Sequence, residues 1–365
     1  MVVHMKIIAN IFLFTLFTFL LFVQTACGIE FAQVKDQKII IDNKEFQFSG
    51  ANQYYFFYKP QAMVDEVFED AKSLNMNVIR TWAFCDGGMH DGFCFQPEAR
   101  KYDEPTFKKL DYVIYKAKKE NIKLVLALAN NWGDFGGINQ YLSWTKKYNH
   151  DDFFRDEDMK SIYRDYVKYV LNRVNTYTGV AYKDEPTILM WELMNEPRCG
   201  DKYALYNWID EMSGYIKTID TNHLVTTGSE GAIDSDPFEA HKSKNIDVVS
   251  FHLYPDWWGF NEQQANEYIV KHAQVAKSLN KPVFLGEYGL KDRLKRNEIF
   301  TNWYSLANQN NVSGMLLWIL SGKQMDGSLY PDYDGFTVWC PEFTTMCDNL
   351  KKLSIEKIGA QLSYP

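Results

Sequence analysis

The sequence predicts a single (β/α)8 TIM barrel, and three observations lead there. Eight short apolar runs alternate with amphipathic stretches of helical length, the pattern of parallel strands buried on both faces. The first run leads into Ser49-Gly50-Ala51-Asn52-Gln53, which has one glycine, whereas a doubly wound sheet calls for a glycine-rich phosphate loop there. A chain of 365 residues, 46% hydrophobic and 24% charged, with no Pro/Gly/Ser-rich linker, has the size and balance of one α/β barrel.

Met1–Lys6 carries one Lys, Ile7–Val23 is apolar, and the small residues Thr25–Gly28 follow. Segment 1–28 therefore reads as a secretory signal peptide cut near Ala26–Gly28, with an uncleaved anchor as the alternative. Gln24 argues against a lipoprotein site before Cys27. Residues 29–365 are expected to form one secreted domain. Within it, Phe46–Asn52 is the first strand, followed by helix Ala62–Asn75. Asn77–Phe84 and Lys123–Asn130 are the next strands, with helix Glu104–Asn121 between them. Helix Asp156–Tyr177 leads to strand Ile188–Pro197, and helix Lys202–Asp220 to strand His223–Ser229. Gly231–Asn245 has room for a short helix at best. The last three strands are Val248–Pro255, Pro282–Gly289 and Gly314–Gly322, separated by helices Glu262–Asn280 and Asp292–Asn310. Each helix is polar on one face and apolar on the other.

Thirty-nine Lys+Arg against 47 Asp+Glu give a net charge of −8, which argues against nucleic acid and anionic membrane as partners. Aromatics make 16% of the chain, which suits both a large core and flat surfaces that pack on sugar rings. Of six cysteines, Cys27 goes with the signal, leaving Cys85, Cys94, Cys199, Cys340 and Cys347. The close pairs Cys85/Cys94 and Cys340/Cys347 are candidate disulfides in a secreted chain, although spacing leaves other pairings open. No CxxC or HExxH spacing indicates zinc, so no metal is expected. Asn311-Val-Ser is a glycosylation sequon.

Barrels keep their chemistry at the C-terminal ends of strands. The fourth run ends Trp191-Glu192-Leu193-Met194-Asn195-Glu196-Pro197 and the seventh ends Phe284-Leu285-Gly286-Glu287-Tyr288-Gly289. Strands four and seven face each other across the axis, so Glu196 and Glu287 are placed to converge. Alone, either is as readily a solvated loop charge. As a pair they fit glycoside cleavage with retention, in which one carboxylate attacks the anomeric carbon and the other protonates the departing oxygen. Glu192, on the strand itself, is expected to be a satisfied carboxylate deeper in the barrel.

Asn195-Glu196-Pro197 and Gly286-Glu287-Tyr288-Gly289 resemble the two catalytic motifs of glycoside hydrolase family 5. Val78–Phe84, Asn130–Gly137, Trp191–Cys199, His252–Asp256 and Tyr330–Phe336 are similar to its endo-β-1,4-mannanase branch. The resemblance implies Glu196 as acid/base and Glu287 as nucleophile. Asn195 would bond the sugar 2-hydroxyl, Arg80 would hold the nucleophile, Tyr254 would bond Glu287, and His252 would orient the acid/base. Trp318 would be the sugar platform at the cleavage point, and Arg198 would contact sugar on the leaving-group side. Trp82, Asn130 and Asn131 complete the expected binding residues, and Trp132, Trp257 and Trp258 are further ring candidates. Relatives often carry a second Cys shortly after the position of Cys199, whereas Gly200-Asp201-Lys202-Tyr203 has none, so Cys199 is free or pairs at a distance. The implied function is a secreted, monomeric endo-β-1,4-mannanase acting on mannan, glucomannan and galactomannan without metal or organic cofactor. A β-1,4-glucanase of the same family and a catalytically dead sugar-binding barrel are the alternatives.

Overall fold

Eight parallel strands form the central sheet of the computed structural model, which describes residues 31–231, 238–340 and 342–359. The expected signal peptide lies outside them. The strands are β1 (Phe48–Asn52), β2 (Val78–Trp82), β3 (Lys123–Ala127), β4 (Ile188–Glu192), β5 (Leu224–Thr226), β6 (Val249–Leu253), β7 (Val283–Tyr288) and β8 (Gly314–Leu317). They pair in the order β5-β4-β3-β2-β1-β8-β7-β6. A parallel bridge between Thr226 and Val248 spans the seam from β5 to β6, so the sheet is a nearly closed barrel. Around it lie α1 (Gln61–Ser73), α2 (Glu104–Glu120), α3 (Gly137–Thr145), α4 (Glu157–Asn172), α5 (Lys202–Ile219), α6 (Glu262–Ser278), α7 (Arg296–Gln309) and α8 (Thr344–Gly359). None of the described helices is long and apolar enough to cross a membrane.

Helix starts follow their capping chemistry. Asp103, Asp156 and Asp201 each accept a backbone N–H in the first turn of α2, α4 and α5, and Asn261 forms a capping box with Gln264 on α6. Helix α4 stops at Asn172, short of the expected Tyr177. Arg173 is drawn off the helix by Asp111 and Glu104, and the Asn175 side chain accepts from the backbone of Tyr177 and Thr178. Helix α7 starts at Arg296 rather than Asp292, and the Arg296 guanidinium is spent on the carbonyls of Leu290, Gly335 and Thr337.

The inside of the barrel explains how the site is built. Phe48, Val78, Val125, Met190, Leu224, Phe284 and Leu316, from seven of the strands, and Val248 just before β6 form an apolar plug with Ile39 and Ala32. Ile39 comes from a small antiparallel sheet, Gln33–Lys35, Lys38–Ile41 and Lys44–Glu45. Side chains alternate along a strand, so residues two, four and six further on face the same interior. From Val78 that gives Arg80 and Trp82, from Met190 Glu192, from Val248 His252 and Tyr254, and from Leu316 Trp318. On β7 the register shifts between Leu285 and Glu287, and this bulge brings Glu287 into phase with the interior.

The antiparallel sheet under the plug, helix α3 and helix α8 are additions to the expected elements, and two strands end early. The eighth strand ends at Leu317 instead of Gly322; a cis peptide joins Trp318 to Ile319, and Leu320–Ser321 pairs with Val338–Trp339. The fourth strand ends at Glu192 rather than Pro197. Both short disulfides form, Cys85–Cys94 and Cys340–Cys347, and Cys199 is free.

Candidate active site

Glu196 owes its aim to a loop rather than to a strand. Asn195 N donates to Ala129 O and Glu196 N to Gly228 O, which pins the segment after β4 between the loops that follow β3 and β5. Glu196 takes a left-handed backbone, φ 52°, uncommon for a residue with a side chain. Gly228 makes room for this: with φ 78°, a Cβ there would stand 2.0 Å from Met194 O.

Arg80 organises the floor. It is fully buried and spends its fork on five oxygens of four residues. Nε and Nη2 hold Glu192 at 2.9 and 2.6 Å, Nη1 reaches Glu287 Oε1 at 2.5 Å and Asn52 Oδ1 at 2.9 Å, and Nη2 reaches Asn195 Oδ1 at 2.8 Å. Glu192 is thus the satisfied interior carboxylate that its position on the strand suggests. Tyr254 donates to the second oxygen of Glu287 at 2.6 Å. Nδ1 of His252 lies 2.7 Å from Glu196 Oε1 and 3.5 Å from Glu287 Oε2. One oxygen of each glutamate and a ring nitrogen of His252 all lie within 4.8 Å of one another.

Burial pushes both Glu196 and Glu287 above the usual carboxyl range. For Glu287 the neighbouring Glu196 adds to the rise, while His252, Arg80 and the Tyr254 hydrogen bond oppose it. For Glu196 the Trp132 bond, Arg198 and Arg80 oppose the rise and Glu192 adds to it. Two carboxylates this close do not both ionise freely. The direct ion pair with Arg80 favours the ionised form of Glu287, a contact that Glu196 lacks. Burial lowers the pKa of His252, while Glu287 beside it opposes the fall.

These groups lie in a cleft of about 1380 Å³. Trp82, Asn130, Asn195, Arg198, Tyr254 and Trp318 line it beside the two glutamates. Trp318 tilts toward Trp82, with ring centroids 5.8 Å apart, and its indole N–H is held by Asp334 at 2.7 Å. Asn130 is committed to protein: its oxygen accepts from Asn195 Nδ2 at 3.0 Å and its amide donates to Asp134 O at 3.0 Å. Asn131 sits behind the cleft wall, where its oxygen takes Arg198 N and a ring nitrogen of His150. Arg198 pairs with Glu230, the Nη2 bond measuring 2.7 Å, and its guanidinium lies 4.8 Å from the Trp132 ring centre. Trp132, Trp257 and Trp258 all line the cleft.

Sequence reasoning missed Glu230 and Asn52. Glu230 follows a short strand inside Ser229-Glu230-Gly231, where nothing separates it from a surface charge. Asn52 ends β1 in register with Arg80, a position the interior alternation marks once the strand is known. Half-buried Cys199 bonds Asp151, and burial pushes its thiol up to about 12.

A barrel with facing glutamates, one in the loop after β4 and one near the end of β7 where it pairs with a buried arginine, has the equipment of a retaining glycoside hydrolase. Residues 29–310 match the profile of the β-mannosidase-like members of glycoside hydrolase family 5, and the chain belongs to that family. It is 37% identical over 330 residues to the putative mannan endo-1,4-beta-mannosidase 4 of Arabidopsis thaliana, covering 80% of this chain and 78% of that protein. With the mannan endo-1,4-beta-mannosidase 4 of Solanum lycopersicum it shares 36% over 304 residues, 74% of each chain. Among solved structures, the endo-1,4-beta-mannanase from Rhizomucor miehei superposes with a TM-score of 0.82 at 30% identity, covering 92% of this chain and all of that one (100%). The endo-beta-1,4-mannanase from Thermotoga petrophila gives 0.79 at 36% identity, covering 89% and 79%.

Proposed function

We propose that the chain is a secreted endo-β-1,4-mannanase that cleaves internal bonds of mannan, glucomannan and galactomannan with retention. The observation that carries this reading is the spacing of the two glutamates, whose nearest facing oxygens lie within 4.8 Å. Retention uses carboxyl groups about 5–5.5 Å apart, whereas inversion needs about 6.5–9.5 Å to admit water between them. The names of the relatives support mannan as the polymer.

In the first step Glu287 attacks the anomeric carbon while Glu196 gives its proton to the glycosidic oxygen. The leaving chain departs with a hydroxyl and the glycone stays as an ester on Glu287. Esterification removes the charge beside Glu196, which is then a carboxylate and takes a proton from water as that water attacks the anomeric carbon. Glu287 is released and Glu196 is reprotonated. Asn195 supports the cationic transition state: its oxygen is held by Arg80 and one amide hydrogen by Asn130, which leaves the other hydrogen for the 2-hydroxyl. Trp318 sits on the same interior face as the platform under the ring. Arg198 with Glu230 lies beside Glu196, on the side where the leaving chain departs.

The test compares linear mannan, glucomannan and carboxymethylcellulose for the wild type, Glu287→Ala and Glu196→Ala. Short manno-oligosaccharides are expected from the wild type on mannan, none from Glu287→Ala, and a β-configured mannobiosyl azide from Glu196→Ala given azide and a dinitrophenyl β-mannobioside, whose phenolate departs without a proton. Turnover of carboxymethylcellulose alone would replace mannan by β-glucan, and full activity in Glu287→Ala would remove the nucleophile assignment.

A further inference from the structure

Glu196 has two carboxyl oxygens with different surroundings. Oε1 faces His252, which is fully buried, so no substrate reaches that side. Oε2 accepts the indole N–H of Trp132 at 2.6 Å, and Trp132 is 39% exposed on the cleft wall. The Trp132 ring is itself fixed, because the Arg198 guanidinium lies over it and is anchored in turn to Glu230. The proton handed to the glycosidic oxygen must therefore leave from Oε2. We propose that Trp132 is a positioning residue for this transfer: its N–H occupies one lone pair of Oε2 and so directs the carboxyl O–H, through the other, at the departing oxygen.

This inference rests on the reading of Glu196 as the acid/base. In the protonated state Oε2 accepts from Trp132 while its own hydrogen points into the cleft. After transfer the hydrogen is on the leaving oxygen, and in the second step the same lone pair receives the proton of the attacking water. No other atom needs to move. The bond also sets protonation. An N–H on Oε2 favours the ionised carboxylate, opposing the rise that burial causes, so its removal lets Glu196 hold its proton to higher pH. The other charged and titratable groups facing Glu196 are His252, Arg80, Arg198, Glu192, Glu230, Glu287, Tyr254 and Tyr268, and none of them is itself changed by a substitution at 132.

The experiment is Trp132→Phe, which keeps a ring and loses the donor. A second variant carries benzothienylalanine at 132, where sulfur replaces the N–H and the bicyclic shape is kept. With unchanged melting temperatures, both are expected to lose about tenfold in kcat on mannan and to move the alkaline limb of kcat/KM upward. A dinitrophenyl β-mannobioside, whose phenolate departs without a proton, is expected to lose less in its glycosylation step than mannan does. A ring that merely supports sugar would raise KM and leave the alkaline limb where it was, and that result overturns the proposal. The two failures are distinguishable. If Glu196→Ala keeps activity on mannan, the acid/base reading falls first; if Glu196→Ala is silent on mannan and azide speeds its turnover of the dinitrophenyl substrate while both 132 variants keep the wild-type kcat and limb, only the Trp132 inference falls.

Discussion

Arg80 sits at zero exposure between two carboxylates, and its ion pairs persist because every N–H it points at the site has an acceptor. The neighbouring carboxylates raise its own pKa against the opposing effect of burial. Breaking such a pair by deleting one partner leaves buried charge uncompensated. Arg80→Met is therefore expected to cost about 3–5 kcal/mol in urea unfolding and to abolish turnover, because Glu192 and Glu287 would repel across the vacated space. Glu192→Gln, which keeps the shape and loses a charge, is the milder comparison. At this scale the sequence was informative wherever a strand set the direction of a side chain. Arg80, Glu192, His252 and Tyr254 could be assigned to one interior face from alternation alone. Glu196 could not, because its left-handed backbone breaks the period that would have carried the count from Glu192.

Strand β1 shows how closely the elements must approach to hold that geometry. A Cβ on Gly50 would lie 1.8 Å from Val78 O and 2.9 Å from Leu316 Cδ2, and the first contact is backbone of the paired strand. Gly50→Ala is expected to lower stability by about 3 kcal/mol or more, the upper range of overpacking, since neither strand can yield without disturbing Arg80. Gly88→Ala, with nothing within 4 Å of its Cβ, is the control that should melt with the wild type. Element positions were largely legible, because buried parallel strands read as apolar runs and caps mark helix starts. Their ends were not. The expected strands ran on through Leu193–Pro197 and Ile319–Gly322, where Leu193, Met194, Ile319 and Leu320 continue the apolar run past the point at which the backbone leaves the sheet. Helix α8 escaped notice because its buried face includes Ser354 and Lys357, the latter satisfied by Gln47, Asn308 and the Val312 carbonyl.

Across the whole molecule, Asp86 links acid chemistry to stability. It is fully buried beside the Cys85–Cys94 disulfide; Oδ1 accepts from Gln96, Oδ2 has no partner, and its backbone N–H joins the loop after β3 at Phe135 O. Burial pushes its pKa up to about 8. A carboxyl raised in the folded state contributes stability that is whole below its unfolded pKa of about 4, falls as pH climbs, and is gone above about 8. Asp86→Asn does not ionise, so its melting temperature is expected to gain on the wild type steadily from pH 4 to pH 8. A constant difference over that range would show that Asp86 is already ionised in the folded protein.

By itself the sequence determined the barrel, the two glutamates, the arginine and the aromatic supply, because each depends on short-range periodicity and on motifs a few residues long. Only the tertiary structure decided which oxygen of each glutamate meets which partner, that Asn131 turns away from the cleft, that Glu230 joins Arg198, and that Trp132 donates to Glu196. Those contacts join residues tens of positions apart through loops whose directions no local pattern encodes. They follow from where barrel closure brings the strand ends, and from the bulge on β7 and the left-handed turn at Glu196 that set the final angles.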